Sequence, residues 1–550
     1  KIKGEKIALF GNGARHTVSG GTGSGDVNAR SIITVEQGLK HAGAIITTKA
    51  WLDRYDQISI KAKAEFMEEM RTKYLDSPEL AFWAMFKYRN PLSVPIEADD
   101  LMECDTAVYV LARNSGEGSD RRNVPGDYQL HQDEMDALAL LSRHYQHLVV
   151  ILNVGGMIDT TFLRKQPGID AVLLMSQAGS AGGDALSDVL CGAVTPCGHL
   201  TTTWAENYED YPSADTFGHR NGNVDDEYYT EGIYVGYRWF DAFGKTPAYP
   251  FGYGRSYTSF SMQIIGTELE EDRIIVSVQV TNTGKHYQGR EVVQIYTSAP
   301  EGVLDKPYQA LAGYAKTKNL RPGESEDLKL TFPITRMASY DEELPGWILE
   351  EGYYGLWIGG SLAEAKLSAM LLLNKQTVWK KTVSLCPNLA EVFLEKLPPK
   401  EMLHRCYQDW VSQGREGALP VLALSEALAE REERLKDGMV KEQCTEERRK
   451  EGQKLKELEK EAEEILSRLS VQQMIKMVCG ESNIAVNSNL GSAGTRVPGS
   501  AGETSSSACA EGVATISLAD GPAGLRLNPS YLVKDGRILP LPFEASIERE

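Results

Sequence analysis

Two glycine-bearing loops hold the side chains best placed to do chemistry. In Arg113-Asn-Ser-Gly-Glu-Gly-Ser-Asp-Arg121 one carboxylate, Glu117, stands between two glycines, and Asp120, Arg121 and Arg122 follow it. Glycine neighbours leave such a carboxylate free to swing toward a substrate held on another domain. The plain alternative is a solvated charged loop. The second loop, Gly11-Asn-Gly-Ala-Arg-His-Thr-Val-Ser-Gly-Gly-Thr-Gly-Ser-Gly-Asp26, is richer still in glycine. Its first half runs Gly11-x-Gly13-x-x-His16 and lacks the third glycine of a dinucleotide fingerprint, which counts against nucleotide binding. A backbone that closes on a bound ligand fits better, with a flexible turn as the bland reading.

Both loops need a scaffold, and the flanking text supplies one. From Lys6 to about Met175 short apolar runs alternate with stretches at helical spacing, which predicts an α/β domain with a largely parallel sheet. Strands are expected at Ile7–Phe10, Ala44–Thr47, Thr106–Leu111, Leu148–Asn153 and Ala171–Met175. Ligands of open α/β sheets bind at the carboxyl ends of the strands, where both loops begin. The aromatic and glycine-rich runs Tyr228–Asp241 and Pro250–Phe260 read as packing, with Glu231 and Arg238 structural.

Between about Ser261 and Leu373 the pattern changes to alternation. Ile274–Val280, Glu291–Tyr296, Leu328–Phe332 and Tyr353–Ile358 are separated by turn residues such as Asn282-Thr-Gly284 and Arg321-Pro-Gly323, which predicts a small β-sandwich. The next stretch, to about Ser470, is highly charged and helical in Ala429–Leu435 and Glu446–Gly452. There Leu455, Leu458, Ala462, Ile465 and Leu469 form one apolar stripe, too short for a coiled coil and expected to pack on neighbouring elements.

Composition narrows the partners. The 550 residues, 42% hydrophobic and 25% charged, suffice for three or four domains. A net charge of −19, from 77 acidic and 58 basic residues, argues against a nucleic-acid partner and favours a neutral or sugar-like ligand. The eight cysteines contain no C-x-x-C pair, so free thiols and a cytoplasmic location are expected, with Cys191 and Cys197 in a region that reads as buried. No apolar run reaches membrane-spanning length. No His/Cys cluster suggests a metal, and no cofactor is expected. The chain opens on Lys1 rather than Met, which leaves its true start and any signal peptide open.

The motifs together resemble family 3 glycoside hydrolases, of the permuted subset among β-glucosidases of gut and rumen bacteria in which the α/β domain precedes the barrel. The resemblance rests on Gly20-Gly-Thr-Gly-Ser-Gly25, Ser115-Gly-Glu-Gly118 with Asp120-Arg121, Gly182-Gly-Asp-Ala185 through Pro196-x-Gly198, Glu231–Arg238 and Phe251–Thr258. It continues in Thr281–Gly284, Gly289–Tyr296 and Lys306-Pro307, similar to the fibronectin type III-like domain of these enzymes. It closes with Val497–Gly502 and Leu518-Ala-Asp-Gly-Pro-Ala-Gly-Leu-Arg526. The implied multidomain α/β architecture is an α/β sandwich domain over 1–260, a fibronectin type III-like β-sandwich over 261–373, a charged helical linker over 374–469 and the start of a (β/α)₈ barrel, incomplete, over 470–550.

That resemblance implies hydrolysis of terminal non-reducing β-D-glycosidic bonds by a retaining, two-carboxylate mechanism, with Glu117 as acid/base. It implies that Asp520 and Arg526 bind the sugar, since a carboxylate accepts from two hydroxyls and a guanidinium donates in a fixed fork; the structural reading makes them a cap and a surface arginine. Arg255, Cys197 and Thr201 depart from the usual pattern, a matter of local packing. The family's nucleophilic aspartate lies on later barrel strands, so the chain is expected to be incomplete and inactive alone. The expected partner is an oligosaccharide or β-glycoside, with a homo-oligomer open. A non-catalytic carbohydrate-binding or structural fragment, a β-xylosidase and a glycoside phosphorylase are the alternatives.

Overall fold

The computed structural model describes residues 3–22, 25, 29–74, 88–116, 121–218, 222–223, 225, 229, 231–270, 272–383, 419, 421–424, 446–480, 497, 500, 502–519, 531–534 and 537–540. Contacts divide the chain into two compact units: residues 1–158, 162–191 and 442–550, and residues 159–161 and 192–441.

In the first unit β1 (Lys6–Phe10), β2 (Ile45–Ile46), β3 (Thr106–Arg113), β4 (His147–Val154) and β5 (Ala171–Leu174) form a sheet in the order β2-β1-β3-β4-β5. Every neighbouring pair is parallel. All five strands expected from the sequence are present. Residues Ile7 to Phe10 and Ala107 to Ala112 are buried without a break, as in strands covered on both faces.

The covering helices are α1 (Val35–His41), α2 (Lys49–Lys73), α3 (Gln132–His144), α4 (Thr161–Lys165) and α5 (Gly182–Leu190). Thr34 and Gln37 form a capping box that starts α1, each side chain accepting from the other's backbone N–H. Trp51 of α2 meets Phe10 of β1 edge to face at 5.2 Å and stacks on Tyr55 at 5.7 Å. Such pairs add about 1 kcal/mol each beyond the area they bury. Helices α1 and α5 approach backbone to backbone, since a Cβ on Gly38 would lie 2.0 Å from the Gly183 carbonyl oxygen. The Gly182-Gly183 motif therefore serves helix packing.

The second unit opens with a short antiparallel pair, β6 (Trp204–Ala205) and β7 (Pro247–Tyr249), and a helix, α6 (Tyr237–Ala242). The sandwich follows. β8 (Phe260–Glu270), β9 (Arg273–Asn282) and β12 (Ser325–Pro333) form one sheet. A second contains β10 (Val292–Ser298), β11 (Ala310–Lys316), β15 (Gly352–Gly359), β16 (Lys366–Leu373) and β18 (Val421–Ala423). β13 (Ser339–Asp341), β14 (Gly346–Leu349) and β17 (Thr377–Lys381) make a third. Ile274, Val276, Val278 and Val280 alternate into the common core, which is why period-two alternation was legible here.

Contacts group the segment from Gly192 onward with the sandwich. The segment after Gly192 has too little sheet of its own and packs on the sandwich. Lys316 Nζ donates to the Cys197 carbonyl at 2.7 Å, and Tyr237 packs tilted against Phe251 at 4.8 Å and edge to face against Tyr296 at 6.1 Å. The aromatic run is thus packing, with Arg238 lying over the Tyr237 ring. Cys191 and Cys197 are half-buried rather than buried.

The chain returns to the first unit with α7 (Glu446–Leu466) and α8 (Val471–Cys479). Most of the expected stripe on α7 faces water: Leu455 is 58% and Leu458 50% exposed, Ile465 is half-buried, and only Leu469, beyond the helix end, is buried. A stripe this narrow among lysines and glutamates cannot build a core by itself. Ala429–Leu435 lies outside the described residues. Among the described residues of 470–550 the paired strands are antiparallel, β19 (Gly502–Glu503) with β20 (Ser517–Leu518) and β21 (Tyr531–Lys534) with β22 (Arg537–Pro540).

Candidate active site

The order β2-β1-β3-β4-β5 puts the topological switch point between β1 and β3, the crevice where open α/β sheets bind ligands. Both glycine-bearing loops leave from that point. Two buried amides at strand ends hold the first loop down. Asn12 extends the β3 ladder by one rung, donating to the Ala112 carbonyl at 3.1 Å and accepting from its N–H at 2.7 Å. Asn153, at the end of β4, accepts from Val18 N–H at 2.7 Å and donates to the Val18 and Ser176 carbonyls at 2.9 and 2.7 Å.

The two loops are then joined to each other. Thr22 N–H donates to the Ser115 carbonyl at 3.2 Å, forming a parallel bridge between Thr22 and Gly116. Gln177 Nε2 lies within hydrogen-bond distance of the carbonyls of Gly20 and Ser115 and of Asn114 Oδ1. A Cβ at Gly116 would stand 2.4 Å from both Thr22 N and Thr22 O. Gly116, expected to leave Glu117 free to swing, thus also admits a neighbouring loop.

Beyond the loop tip the chain is tied again. Arg121 donates through Nη1 to Asp127 Oδ1 at 3.1 Å and through Nη2 to the Arg113 carbonyl at 3.2 Å. Arg113, itself 5% exposed, forms a bidentate pair with the fully buried Glu134, at 2.8 and 2.5 Å. Glu134 also accepts from His131 N–H and so caps α3, locking helix and strand end together. Gly116 and Arg121 therefore anchor the loop on either side of Glu117. Glu117 and Asp120, like Asp520 and Arg526, lie outside the described residues.

Beside this loop lies a cavity of about 610 Å³ lined by Asn12, Asn114, Arg113, Arg121, Arg122 and Asp127, among others. Burial pushes the Arg121 guanidinium below its usual pKa; Arg113 and Arg89 act in the same direction and Asp127 opposes them. Among the described residues no group of three or more His, Cys, Asp or Glu side chains is arranged to hold a metal ion, and no helix is long and apolar enough to cross a membrane. The anchoring amides Asn12, Asn153 and Gln177 were not singled out in the sequence. Asn153 carried a signal, as the polar residue that ends an otherwise apolar strand.

Residues 1–237 match the glycosyl hydrolase family 3 C-terminal domain, and residues 291–362 match the fibronectin type III-like domain. The chain carries the C-terminal domain of family 3 glycosyl hydrolases. It is similar to β-glucosidase A of Butyrivibrio fibrisolvens, 35% identical over 409 residues that cover 66% of this chain and 47% of that one. It is 33% identical to a β-glucosidase of Ruminococcus albus, over 65% of this chain and 37% of that one. Its structure resembles β-glucosidase 3B of Thermotoga neapolitana in complex with α-D-glucose, with a TM-score of 0.59 and 34% identity over 69% of this chain and 51% of that chain. The chain thus spans half or less of the length of the curated relatives it matches. The glycosyl hydrolase C-terminal domain followed by the fibronectin type III-like domain is the order expected from the sequence.

Proposed function

We propose that this chain is part of a β-glucosidase-like glycoside hydrolase that cleaves terminal non-reducing β-D-glycosidic bonds with retention, and that Glu117 is its acid/base. The observation that carries this reading is the double anchoring of the Glu117 loop, by Thr22 on one side and Arg121 on the other, at the switch point of the sheet. An acid/base on a glycine-flanked tip needs that combination: fixed ends and freedom at the carboxylate. Relatives named β-glucosidases support glucose as the sugar.

In a retaining mechanism two carboxyl groups about 5 Å apart share the work. One attacks the anomeric carbon; the other protonates the leaving oxygen and then takes a proton from the incoming water. Glu117 takes the second role, and the nucleophile comes from a barrel segment outside residues 1–550. Asp520 and Arg526, at the start of that barrel, bind the sugar hydroxyls. The layout behind this reading is the α/β domain, the fibronectin type III-like sandwich, the charged helical linker and the opening of the barrel. Partners are β-glycosides rather than nucleic acid or membrane. The unpaired Cys104, Cys191, Cys197 and Cys479 support a cytoplasmic location.

The test is Glu117→Gln in the whole enzyme. General acid/base groups contribute about 10²- to 10⁴-fold, so kcat/KM falls by that factor on poorly activated alkyl glycosides and much less on aryl glycosides with good leaving groups. Equal losses on both substrate types would remove Glu117 from the role.

A further inference from the structure

The edge strand β5 ends in strained backbone. Among the described residues Ser176, just past its end, is the one non-glycine residue with a positive φ, at 54°. That conformation is costly for an L-residue other than Asn or Asp, and residues held in it gather at functional sites. Ser176 is exposed, so burial of its side chain does not impose the turn. The backbone around it does. Met175 and Ser176 both donate their N–H groups to the Leu152 carbonyl, at 2.9 and 3.3 Å. The Ser176 carbonyl accepts from Nδ2 of the fully buried Asn153 at 2.7 Å, and the same amide is bonded to Val18 in the first loop.

The side chain that follows this turn is Gln177. Its Nε2 meets three oxygens on two other loops, Gly20 O at 3.3 Å, Asn114 Oδ1 at 3.2 Å and Ser115 O at 3.4 Å. An amide nitrogen has two hydrogens to share among them, so each bond is long and the three act together. Gly155, after β4, leaves the room, since a Cβ there would lie 2.0 Å from Ser115 Oγ and 2.7 Å from Gln177 Nε2. From the strained turn at Ser176 and the three contacts of Gln177, we propose that Gln177 is a positioning residue for Glu117, and that the Ser176 backbone holds Gln177 in place. The proposal rests on the acid/base reading of Glu117, which follows Ser115 by two residues. A neutral amide suits the task. It fastens carbonyls without setting a charge beside a carboxyl group that must hold and release a proton, whereas a lysine or glutamate would shift that proton's affinity.

Steady-state kinetics of the whole enzyme on alkyl and activated aryl β-glucosides test this. Gln177→Leu keeps the size of the side chain and loses the donors. It is expected to lower kcat about tenfold on the alkyl substrates, as misplacement of a catalytic group does, and much less on the aryl ones, with KM little changed. Added to Glu117→Gln it is expected to cost nothing further, because no acid remains to be placed. Two substitutions at the exposed Ser176 examine the turn itself. Valine disfavours a positive φ and should reproduce the selective loss, whereas asparagine tolerates it and should keep kcat. A Gln177→Leu loss that is equal on both substrate types, or that persists undiminished in the Glu117→Gln background, overturns the proposal. So does Ser176→Val with the parent's kcat. Failure of the acid/base reading looks different: Glu117→Gln by itself then loses equally on both substrate types, and the positioning role falls with it.

Discussion

At the scale of single residues, the informative groups are those whose charge the fold has isolated. Asp241, on α6, accepts from the Gln309 N–H while its Oδ2 is shut off from water with no partner. Burial raises its pKa from 3.8 to about 7. Between those values the folded chain holds a proton that the unfolded chain has released. The contribution of Asp241 to stability therefore falls as pH rises from about 4 to 7, and the cost is fully present above 7. Asp241→Asn keeps the acceptor for Gln309 and cannot ionise. It is expected to flatten that part of the stability–pH curve and to stabilise the protein at pH 8 by on the order of 3 kcal/mol. Urea denaturation across the pH range measures both effects, and a slope equal to the parent's would show that Asp241 does not titrate in this window. The same scale separates what could be read in advance from what could not. Glu117 stood out because glycine flanks are visible in sequence, whereas nothing in the text near Arg113 announced that Glu134, one helix away, would neutralise it.

At the scale of elements, the loops matter more than the strands that carry them. The strands were legible because their burial is continuous over runs such as Val108–Leu111, and apolar side chains need no distant partner to reveal themselves. The loop geometry was not. Glycines in the first loop were expected to approach a ligand, but Gly21 and Gly116 let two loops touch, with Gly21 approaching Ser115 O and Gly116 approaching Thr22. Gly116→Ala is therefore expected to push the loops apart next to Glu117 while leaving the sheet intact. In the whole enzyme kcat should fall about tenfold or more, as small misplacements of catalytic groups do, with little change in melting temperature. A melting temperature that drops while kcat holds would show that the bridge serves stability instead. The stripe on α7 teaches the converse. Its spacing is that of a packed helix, yet Leu455 and Leu458 face water, because periodicity specifies a helix and one side of it but not the presence of a neighbour.

At the scale of the whole molecule, two compact units carry separate cores, one built on a parallel sheet and one on a sandwich. Cys104, Cys191, Cys197 and Cys479 are unpaired. Excess dithiothreitol is thus expected to leave the melting temperature unchanged, and a fall of several degrees would reveal a disulfide among the remaining cysteines. What the sequence by itself determined is the kind and order of the α/β domain and the fibronectin type III-like sandwich: strand and helix periods, turn residues and family motifs are local or near-local signals, so they survive in one dimension. Only the tertiary structure decided that segment 192–260 packs with the sandwich, that Thr22, Asn153 and Gln177 anchor the loop before Glu117, and that arginines from two parts of the chain gather round one cavity. Those facts depend on which distant residues become neighbours, and a chain read in order records spacing along itself but not approach through space.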